Sequence, residues 1–174
     1  MQLTGKQIVN RGIVTNFSQE GIQQQGIDVR LDKVITFDFN QHLTSNQVGY
    51  VPERGKTVLM KRHELKPQRS TSGKEIWHLE PGYYEVIVKE GCKMPDNAAM
   101  VFISRSSMVR NGAIIHCGQF DAGFETEQMG FFLQVIFPIN IERGARIAQT
   151  RIFESESVEN LYEGQFQGDQ QRTK

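Results

Sequence analysis

The sequence predicts an all-β domain, a sandwich or a barrel, rather than alternating strands and helices. Short runs rich in β-branched and aromatic residues recur along the chain, and Gly, Pro, Asn or Asp separates nearly every run from the next. With 174 residues, the chain can build one domain that buries roughly 70% of its unfolded surface. The predicted strands are 27–31, 34–39, 83–88, 100–103, 131–136 and 145–153.

One short helix is expected before the first strand. Thr4 can cap its start, the helix runs through Val9 or Asn10, and Gly12 ends it. Two polar stretches are expected to be surface loops: 40–49 and 66–74.

The last part of the chain differs in composition from the rest. From residue 154 onward it is polar and Gln-rich, with isolated aromatic residues at Tyr162 and Phe166. Such a segment cannot build much core of its own. We therefore expect a β domain over 1–153 and, over 154–174, a mobile tail that orders on a ligand and closes over the active site.

Charge and cysteine content restrict the function classes. Lys and Arg together number 20, as do Asp and Glu, so no net charge draws the protein to nucleic acid or to an anionic membrane. No apolar stretch approaches the ~20 residues that span a bilayer. We expect a soluble, cytoplasmic protein that binds neither nucleic acid nor membrane, with Cys92 and Cys117 as free thiols.

The segment 104–112 interrupts the β pattern and predicts a short helix with serine caps and a closing glycine. Arg105, Ser106 and Ser107 lie at its start. A guanidinium, two hydroxyls and free backbone N–H groups form a plausible phosphate cradle. An ordinary capped surface helix fits the same residues equally well.

Five segments follow one another in a recognisable order. They are GIDVRL at 26–31, EPGY at 80–83 with MPD at 94–96, RSSMVR at 105–110 before Gly112, FDAGF at 120–124, and GARIAQ at 144–149. GIDVRL, RSSMVR, FDAGF and GARIAQ resemble, in this order, the first, second, third and fourth motifs of the dCTP deaminase and dUTPase superfamily. EPGY and MPD resemble its middle strands. The resemblance covers essentially the whole chain. The long first half and the tail sequence YEGQFQG at 162–168 are closer to the dCTP deaminase branch.

The resemblance implies a dUTPase-like distorted β-barrel of the β-clip type. It also implies a homotrimer with active sites at subunit junctions, and a deoxyribonucleoside triphosphate substrate that carries Mg²⁺. The bacterial deaminases of this family use no zinc, and the chain lacks an H-x-E with P-C-x-x-C signature. The four histidines are expected to be structural or solvent-facing rather than metal ligands: His42, His63, His78 and His116.

The third motif supplies the residue that the resemblance places at the reaction. Asp121 is expected to orient and deprotonate the water that attacks the α-phosphate, although an Asp in such a turn is common without this role. Phe124 matches the ring under the deoxyribose, which excludes a 2′-hydroxyl, and a core Phe fits the same pattern. The backbone of 114–120 is expected to face the pyrimidine edge.

The second and fourth motifs are expected to bind phosphate. Arg105, Ser106 and Gln149 match family positions that contact phosphate, and Ser107 lies beside them in the cradle. Arg110 matches a site arginine of the deaminase branch. Arginine suits this role because its guanidinium makes bidentate, charge-assisted hydrogen bonds to phosphate oxygens.

Other assignments concern the first motif and the tail. Asp28 and Arg30 are expected to form an ion pair, and Asp28 is an alternative indirect ligand of the metal through water. Tyr162 is expected to contact the substrate, and Phe166 and Arg172 lie in the same tail. Gln165 stands where the deaminase branch usually carries Lys, which weakens one phosphate contact.

The chain departs from the deaminase pattern after the third motif. The deaminases use a glutamate in the following strand as proton shuttle, and our alignment places Gln134 at that position, with Val135 as the next choice. An amide cannot take a proton near neutral pH. Glu125 or Glu127 replaces the glutamate only if the longer turn between motif and strand reaches the site.

Three functions remain in competition. The first is hydrolysis of dUTP, or of a close deoxypyrimidine triphosphate, to the monophosphate and pyrophosphate. The second is deamination of dCTP, which forms dUTP or, with hydrolysis, dUMP; the full-length likeness favours it and Gln134 disfavours it. The third is a non-catalytic trimer that senses nucleotides.

Overall fold

β-strands form most of the regular structure in the computed structural model, which describes residues 1–38, 49–51, 56–58 and 61–169. Within these ranges the helical segments are short: α1 is Gly5–Asn10, α2 is Ser106–Arg110, and 3-10 turns cover Gln19–Gly21 and Gln167–Asp169. The strands are β1 (Val14–Thr15), β2 (Ile22–Gln23), β3 (Gly26–Phe37), β4 (Gly49–Val51), β5 (Lys56–Val58), β6 (Arg62–Leu65), β7 (Gln68–Arg69), β8 (Glu75–Leu79), β9 (Gly82–Val88), β10 (Gly91–Lys93), β11 (Ala98–Ser104), β12 (Ala113–His116), β13 (Glu125–Thr126), β14 (Gly130–Val135), β15 (Ile139–Glu142) and β16 (Arg146–Glu154).

The main sheet is antiparallel and runs in the order β11-β16-β3-β9-β14-β12, with β2 and β6 also paired to β3. The strand β3 pairs with β16 through its first half, where Asp28 is opposite Gln149. Its second half pairs with β9, where Val34 is opposite Val86. Smaller sheets have the orders β1-β10-β13, β15-β8-β7 and β4-β5.

Two of the predicted strands are one strand in the structure. The sequence separates 27–31 from 34–39 because Asp32 and Lys33 are polar, whereas β3 continues through both residues to Phe37. The pairing with β9 shifts register between Leu31 and Lys33. Such an irregularity lets a strand bend without ending. Residue 39 lies outside the described residues.

The main sheet almost closes on itself. Beyond the end of β12, Phe120 forms an isolated bridge with Met100 on β11, through hydrogen bonds of 3.0 Å and 2.8 Å in the two directions. At the other end of β11, Ser104 Oγ accepts a hydrogen bond of 2.8 Å from the Ile115 N–H. These contacts join the two edge strands, so the prediction of a mostly β, barrel-like fold with short helices is confirmed.

The core lies inside this barrel. Along β14, Phe131, Leu133 and Val135 are buried, whereas Phe132 and Gln134 point to the outer face. Each fully buried apolar side chain of this size stabilises the fold by about 1.5–3 kcal/mol relative to exposure. The largest fully buried apolar side chains are Leu3, Ile8, Ile13, Ile27, Leu31, Leu79, Met100, Met129, Leu133, Ile147 and Ile152.

The N-terminal helix begins and ends as predicted. Thr4 and Gln7 form a reciprocal capping box, and the helix ends at Asn10, before Gly12 with φ +65°. Gly5 packs so closely on the β2 segment that a Cβ would lie 2.2 Å from the Gln23 carbonyl oxygen. The helix is thereby fixed against the barrel.

The predicted loops and thiols have mixed outcomes. Most of 40–49 lies outside the described residues. The stretch 66–74 is mostly exposed, as expected for a surface loop, and two of its residues form β7, which pairs with β8. Both cysteines are free, as predicted: Cys92 is buried, and partial burial raises the pKa of Cys117 although the Phe102 N–H opposes this effect.

Candidate active site

A buried carboxylate joins the predicted first, second and fourth motifs. Asp28 on β3 is only 2% exposed, and its Oδ2 lies 3.1 Å from Arg105 Nε and 3.5 Å from Arg146 Nη1. Its Oδ1 accepts a hydrogen bond of 3.0 Å from Gln149 Nε2. Two guanidinium groups surround one carboxylate, so this cluster has a net charge of about +1, which suits a polyanion.

The predicted ion pair between Asp28 and Arg30 is wrong. Arg30 binds Glu90 instead: its Nε lies 2.6 Å from Oε1, and its backbone N–H donates to Oε2 at 2.7 Å. Glu90 is fully buried, and a buried carboxylate requires such partners. Asp28 is already paired with Arg105 and Arg146, so the carboxylates of Asp28 and Glu90 each have a different arginine partner.

The predicted phosphate cradle is a five-residue helix, α2, whose N-cap is Arg105 rather than a serine. Arg105 makes no capping hydrogen bond, because a guanidinium has no acceptor for a helix N–H. Its side chain lies against Asp28 and donates at 3.0 Å to the Arg146 carbonyl. Ser106 and Ser107 are exposed. Gly112, with φ +73°, follows the helix as predicted. Two hydroxyls therefore lie beside an arginine whose orientation is fixed.

The predicted base, Asp121, lies in an exposed turn after the Phe120 bridge. Its carbonyl accepts a hydrogen bond of 3.1 Å from the Phe124 N–H, and its Oδ1 accepts one of 2.7 Å from Gln119 Nε2. The turn needs Gly123 because φ is +82° there, and because a Cβ would lie 2.7 Å from Leu161 Cβ. Asp121 is thus accessible to solvent and held in orientation.

Phe124 is buried under the tail of its own chain. The ring is 9% exposed and makes edge-to-face contacts with Phe120 at 5.2 Å and Tyr162 at 5.3 Å between centroids. Tyr162 therefore covers part of the ring that the sequence analysis assigns to the deoxyribose. The two predicted substrate residues, Phe124 and Tyr162, are in direct contact.

The tail is attached to this turn by its backbone and by one side chain. The Tyr162 N–H donates to the Ala122 carbonyl at 2.8 Å. Gln167 Nε2 donates to the Gly123 carbonyl at 2.9 Å, and Gln167 Oε1 accepts from the Glu125 N–H at 3.1 Å. These contacts hold the described part of the tail on the Asp121 turn, and the ordering of the tail by a ligand stays a prediction. Arg172 lies outside the described residues.

The Asp28 cluster and the Asp121 turn lie at different ends of β11. The turn follows Phe120, which pairs with Met100, whereas Arg105 follows Ser104. Four residues of strand separate Met100 from Ser104, which corresponds to about 13 Å. Within one protomer, the predicted base and the predicted phosphate-binding arginine therefore do not meet.

Gln134 lies on the outer face of the barrel with a histidine as its partner. Its Oε1 lies 2.8 Å from His116 Nε2, across the β12–β14 pair. Tyr83 on β9 is the Cα partner of Gln134 on the other side, and its ring centroid is 6.5 Å from that of His116. Val135, the alternative position for the missing glutamate, is buried and points into the core.

Comparison with known proteins identifies the family of this chain. Residues 2–155 match the family described as dCTP deaminase-like. The chain belongs to the dCTP deaminase-like family. It is 31% identical over 160 residues to the deoxyuridine 5′-triphosphate nucleotidohydrolase of Methanocaldococcus jannaschii, covering 91% of this chain and 95% of that relative.

Two other proteins similar to this chain carry the other activity in their names. The dCTP deaminase of Acidianus ambivalens is 27% identical over 160 residues, covering 91% of this chain and 84% of the relative. The 2′-deoxycytidine 5′-triphosphate deaminase of Agrobacterium tumefaciens has the same fold, with a TM-score of 0.61 at 17% identity. That alignment covers 87% of this chain and 47% of the solved chain.

The longer turn of this dCTP deaminase-like chain packs away from Gln134. Glu125 and Thr126 form β13, which pairs with β10, and Glu125 Oε2 lies 3.6 Å from Lys93 Nζ. Thr126 is buried and its hydroxyl donates to the Gln128 carbonyl at 3.0 Å. Glu125 is therefore held on another sheet, so it does not replace the missing glutamate within the protomer.

Arg110 is the remaining residue that the sequence analysis assigns to the site. Arg110 is exposed at the end of α2, and it makes no hydrogen bond or ion pair with the described residues.

Within the described ranges, no three His, Cys, Asp or Glu side chains lie close enough together to hold a metal ion. No helix in these ranges has the length and apolarity to cross a membrane.

Three contacts were missed by the sequence analysis. Arg146 lies in the fourth motif, and its place opposite Arg30 on β3 follows only from the register of two distant strands. His116 was set aside as a lone histidine, although its position two residues from Ile114 puts it on the face of Gln134. Gln167 had no signal beyond the Gln-rich composition of the tail.

Proposed function

We propose that the protein hydrolyses dUTP to dUMP and pyrophosphate as a Mg²⁺-dependent homotrimer. The observation that carries the proposal is the Asp28 cluster, in which Arg105, Arg146 and Gln149 converge on one carboxylate. Convergent donors of this kind orient a triphosphate. The name of the Methanocaldococcus jannaschii relative supports dUTP as the substrate.

The phosphate half of the site is preorganised by Asp28. Arg105 pairs with Asp28 through Nε and donates from Nη1 to the Arg146 carbonyl. Gln149 donates to the other oxygen of Asp28. These contacts fix both rotamers and leave the remaining N–H groups for phosphate oxygens. Ser106 and Ser107 add two exposed hydroxyls beside Arg105. Fixed donors lower the barrier because they need not reorganise when charge develops on the phosphate.

The other half of the site supplies the base. Asp121 takes a proton from a water molecule, whose oxygen attacks the α-phosphorus. The bond between the α-phosphorus and the bridging oxygen breaks, and the β- and γ-phosphates leave as pyrophosphate. Gln119 keeps one carboxylate oxygen occupied at 2.7 Å, so the other oxygen is available to the water. Phe124 lies three residues further along and provides the apolar wall for the deoxyribose.

The donor set fits a metal that arrives with the substrate. Both oxygens of Asp28 are occupied by Arg105, Arg146 and Gln149, so Asp28 is better placed to orient these side chains than to bind metal through water. Mg²⁺ on the triphosphate would neutralise charge on the phosphate oxygens during attack. The chain's own residues bind the phosphates around it.

Trimer formation brings the separated halves together. In one protomer, Asp121 and Arg105 lie at opposite ends of β11, so a second copy must supply one half to a complete site. Exposed apolar side chains on the sheets are available to bury between copies: Ile103, Phe132 and Phe153. The tail from residue 154 would then close over the site while held on the Asp121 turn.

The test is one set of incubations with Mg²⁺ and, separately, dUTP, dCTP, dTTP and UTP. Pyrophosphate is expected from dUTP, with little from UTP because Phe124 leaves no room for a 2′-hydroxyl. Ammonia is not expected from dCTP, because Gln134 cannot shuttle a proton.

Two other results would replace the proposal. Ammonia released from dCTP, and surviving the double change Glu125→Gln with Glu127→Gln, would indicate a deaminase whose shuttle lies elsewhere. Binding of a deoxynucleotide with release of neither product would indicate a nucleotide sensor.

A further inference from the structure

Three side chains meet on the outer face of the main sheet, apart from the Asp28 cluster. Gln134 on β14 lies between Ile114 on β12 and Tyr83 on β9. His116 is exposed, Tyr83 is 51% exposed, and Gln134 is half-buried between them. The alternate residues of β14 point into the core. This group therefore presents polar and aromatic atoms to solvent on a rigid sheet.

The pairing with His116 fixes which end of the Gln134 amide faces outward. Oε1 of Gln134 lies 2.8 Å from His116 Nε2. A carbonyl oxygen only accepts hydrogen bonds, so His116 carries the proton on Nε2 and donates it. The Gln134 NH₂ group has no acceptor among the described residues. Gln134 thus turns two N–H donors outward, while its carbonyl oxygen is directed towards His116.

We propose that the His116–Gln134 pair selects uracil over cytosine at the nucleotide site; this inference rests on the proposed function. At position 4 of the ring, uracil carries a carbonyl oxygen, which accepts, whereas cytosine carries an amino group, which donates. The outward NH₂ group of Gln134 bonds the first and opposes the second. A site built around a specific hydrogen bond rejects the mismatched analogue strongly.

The surroundings of the pair suit a pyrimidine. His116 is the last residue of β12 and precedes Asp121 by five positions, so the pair and the proposed base belong to one short segment. The exposed ring of Tyr83 provides a flat apolar surface beside the amide, and aromatic surfaces bind bases by stacking. The same face therefore offers an aromatic surface for stacking and an N–H donor for a hydrogen bond.

The experiment measures binding, and not only turnover, for two non-hydrolysable analogues, the α,β-imido forms of dUTP and dCTP. In the wild-type protein the uracil analogue is expected to bind at least tenfold more tightly. His116→Ala frees the amide to rotate and should reduce this preference at least tenfold. His116→Glu replaces a donor by an acceptor, turns the amide over, and should reduce the preference further or invert it.

A matched control is available on another sheet. His78 contacts the Asn140 side chain, which is the same kind of histidine–amide pair, on the β15-β8 pair. His78→Ala should leave the binding preference unchanged. Gln134→Leu should weaken binding of the uracil analogue and leave that of the cytosine analogue within a few fold, because only the former uses the donor.

The outcomes separate this inference from the proposed function. A preference that survives both His116 variants overturns the role of the pair, even if dUTP is hydrolysed. A wild-type protein that keeps the preference but releases no pyrophosphate contradicts the hydrolase alone. Absence of binding for both analogues, or equal binding in the wild type, overturns the inference as well.

Discussion

At the scale of single residues, Asp121 is the side chain whose chemistry the proposed reaction needs most. Asp121→Asn keeps the shape and can still accept the Gln119 hydrogen bond, but it cannot take a proton. We expect kcat for dUTP to fall by about 10²-fold or more, as is typical for loss of a general base. Binding of the non-hydrolysable analogue should remain within a few fold.

The matched control for this substitution is Glu125→Gln. Glu125 is four residues away and loses only an exposed ion pair with Lys93, so activity should stay close to that of the wild type. If Asp121→Asn retained activity within a few fold, the water would be activated by another group. Glu125 would then be the next carboxylate to consider.

A second residue-scale prediction concerns stability and pH. Asp32 accepts hydrogen bonds from Gln128 Nε2 at 2.9 Å and from Arg143 Nη2 at 2.9 Å. Burial raises the pKa of Asp32, but these hydrogen bonds, together with the charges of Arg143 and Lys89, outweigh it and hold the pKa below 3.8. A depressed pKa means that the stabilisation is present above pH 3.8 and is lost as the pH falls through the lower, folded-state value.

Asp32→Asn should therefore lower the free energy of unfolding at pH 7 by about 1 kcal/mol. The difference from the wild type should shrink as the pH falls below 3.8, which urea unfolding at several pH values would measure. Asp96→Asn is the control, because Asp96 is exposed and its carboxylate has no partner among the described residues. A difference that grows towards low pH would refute the assignment.

At the scale of elements, the sequence predicted the positions of the strands better than it predicted which strands pair with each other. Alternation and turn residues located β9, β11, β14 and β16 within two residues. They failed at β3, because polarity at Asp32 and Lys33 signals a turn locally while pairing with β9 and β16 keeps the strand extended. Tertiary pairing overrides local preference at such positions.

The candidate site was predictable only in part, because its contacts also depend on pairing between strands that are distant in the sequence. The motifs identified Arg105, Asp121 and Gln149, whereas the partners of Asp28 depend on the register between β3 and β16. Short-range reasoning paired Asp28 with Arg30, two residues away on the same strand. The structure shows that neighbours across the sheet take precedence over neighbours along the chain.

The tail is the element whose contribution can be tested most directly. Gln167 bridges Gly123 and Glu125 on either side of Phe124, so its side chain holds the turn that carries Asp121. Removing both hydrogen bonds in Gln167→Ala should cost about 1–2 kcal/mol of docking, which corresponds to roughly a tenfold loss in kcat/KM. Truncation before Tyr162 should reduce kcat/KM further without changing the assembly.

Proteolysis gives a readout of tail docking that does not depend on activity. A protease specific for glutamate should cut after Glu163 faster in Gln167→Ala than in the wild type. Glu159→Gln is the control, because Glu159 is exposed and its side chain has no partner among the described residues. Faster cleavage with unchanged kcat/KM would mean that the docked tail has no part in catalysis.

At the scale of the whole molecule, the proposed function makes activity a property of the assembly, because the two proposed half-sites are separate in one protomer. The Asp28 cluster and the Asp121 turn lie beyond opposite ends of the stretch of β11 from Met100 to Ser104, which is about 13 Å long. We therefore expect the two groups to act on one α-phosphate only when they come from different protomers. A closed homotrimer repeats one contact three times and places half-sites of neighbouring copies together. Light scattering should therefore give a trimer mass at micromolar concentration.

Mixing two inactive variants tests whether the site is shared. Asp121→Asn removes the base from one half, and Arg105→Gln removes a charge from the other half while keeping a donor for Asp28. When the two variants are unfolded and refolded together in equal amounts, each site draws its halves from two chains at random. Sites with both halves intact should form at about one quarter of the total, restoring about a quarter of wild-type activity.

The control pair Arg105→Gln with Gln149→Leu damages the same half in both chains and should restore nothing. Trimers that contain both variants of the first pair yet stay inactive would show that each protomer builds its site alone.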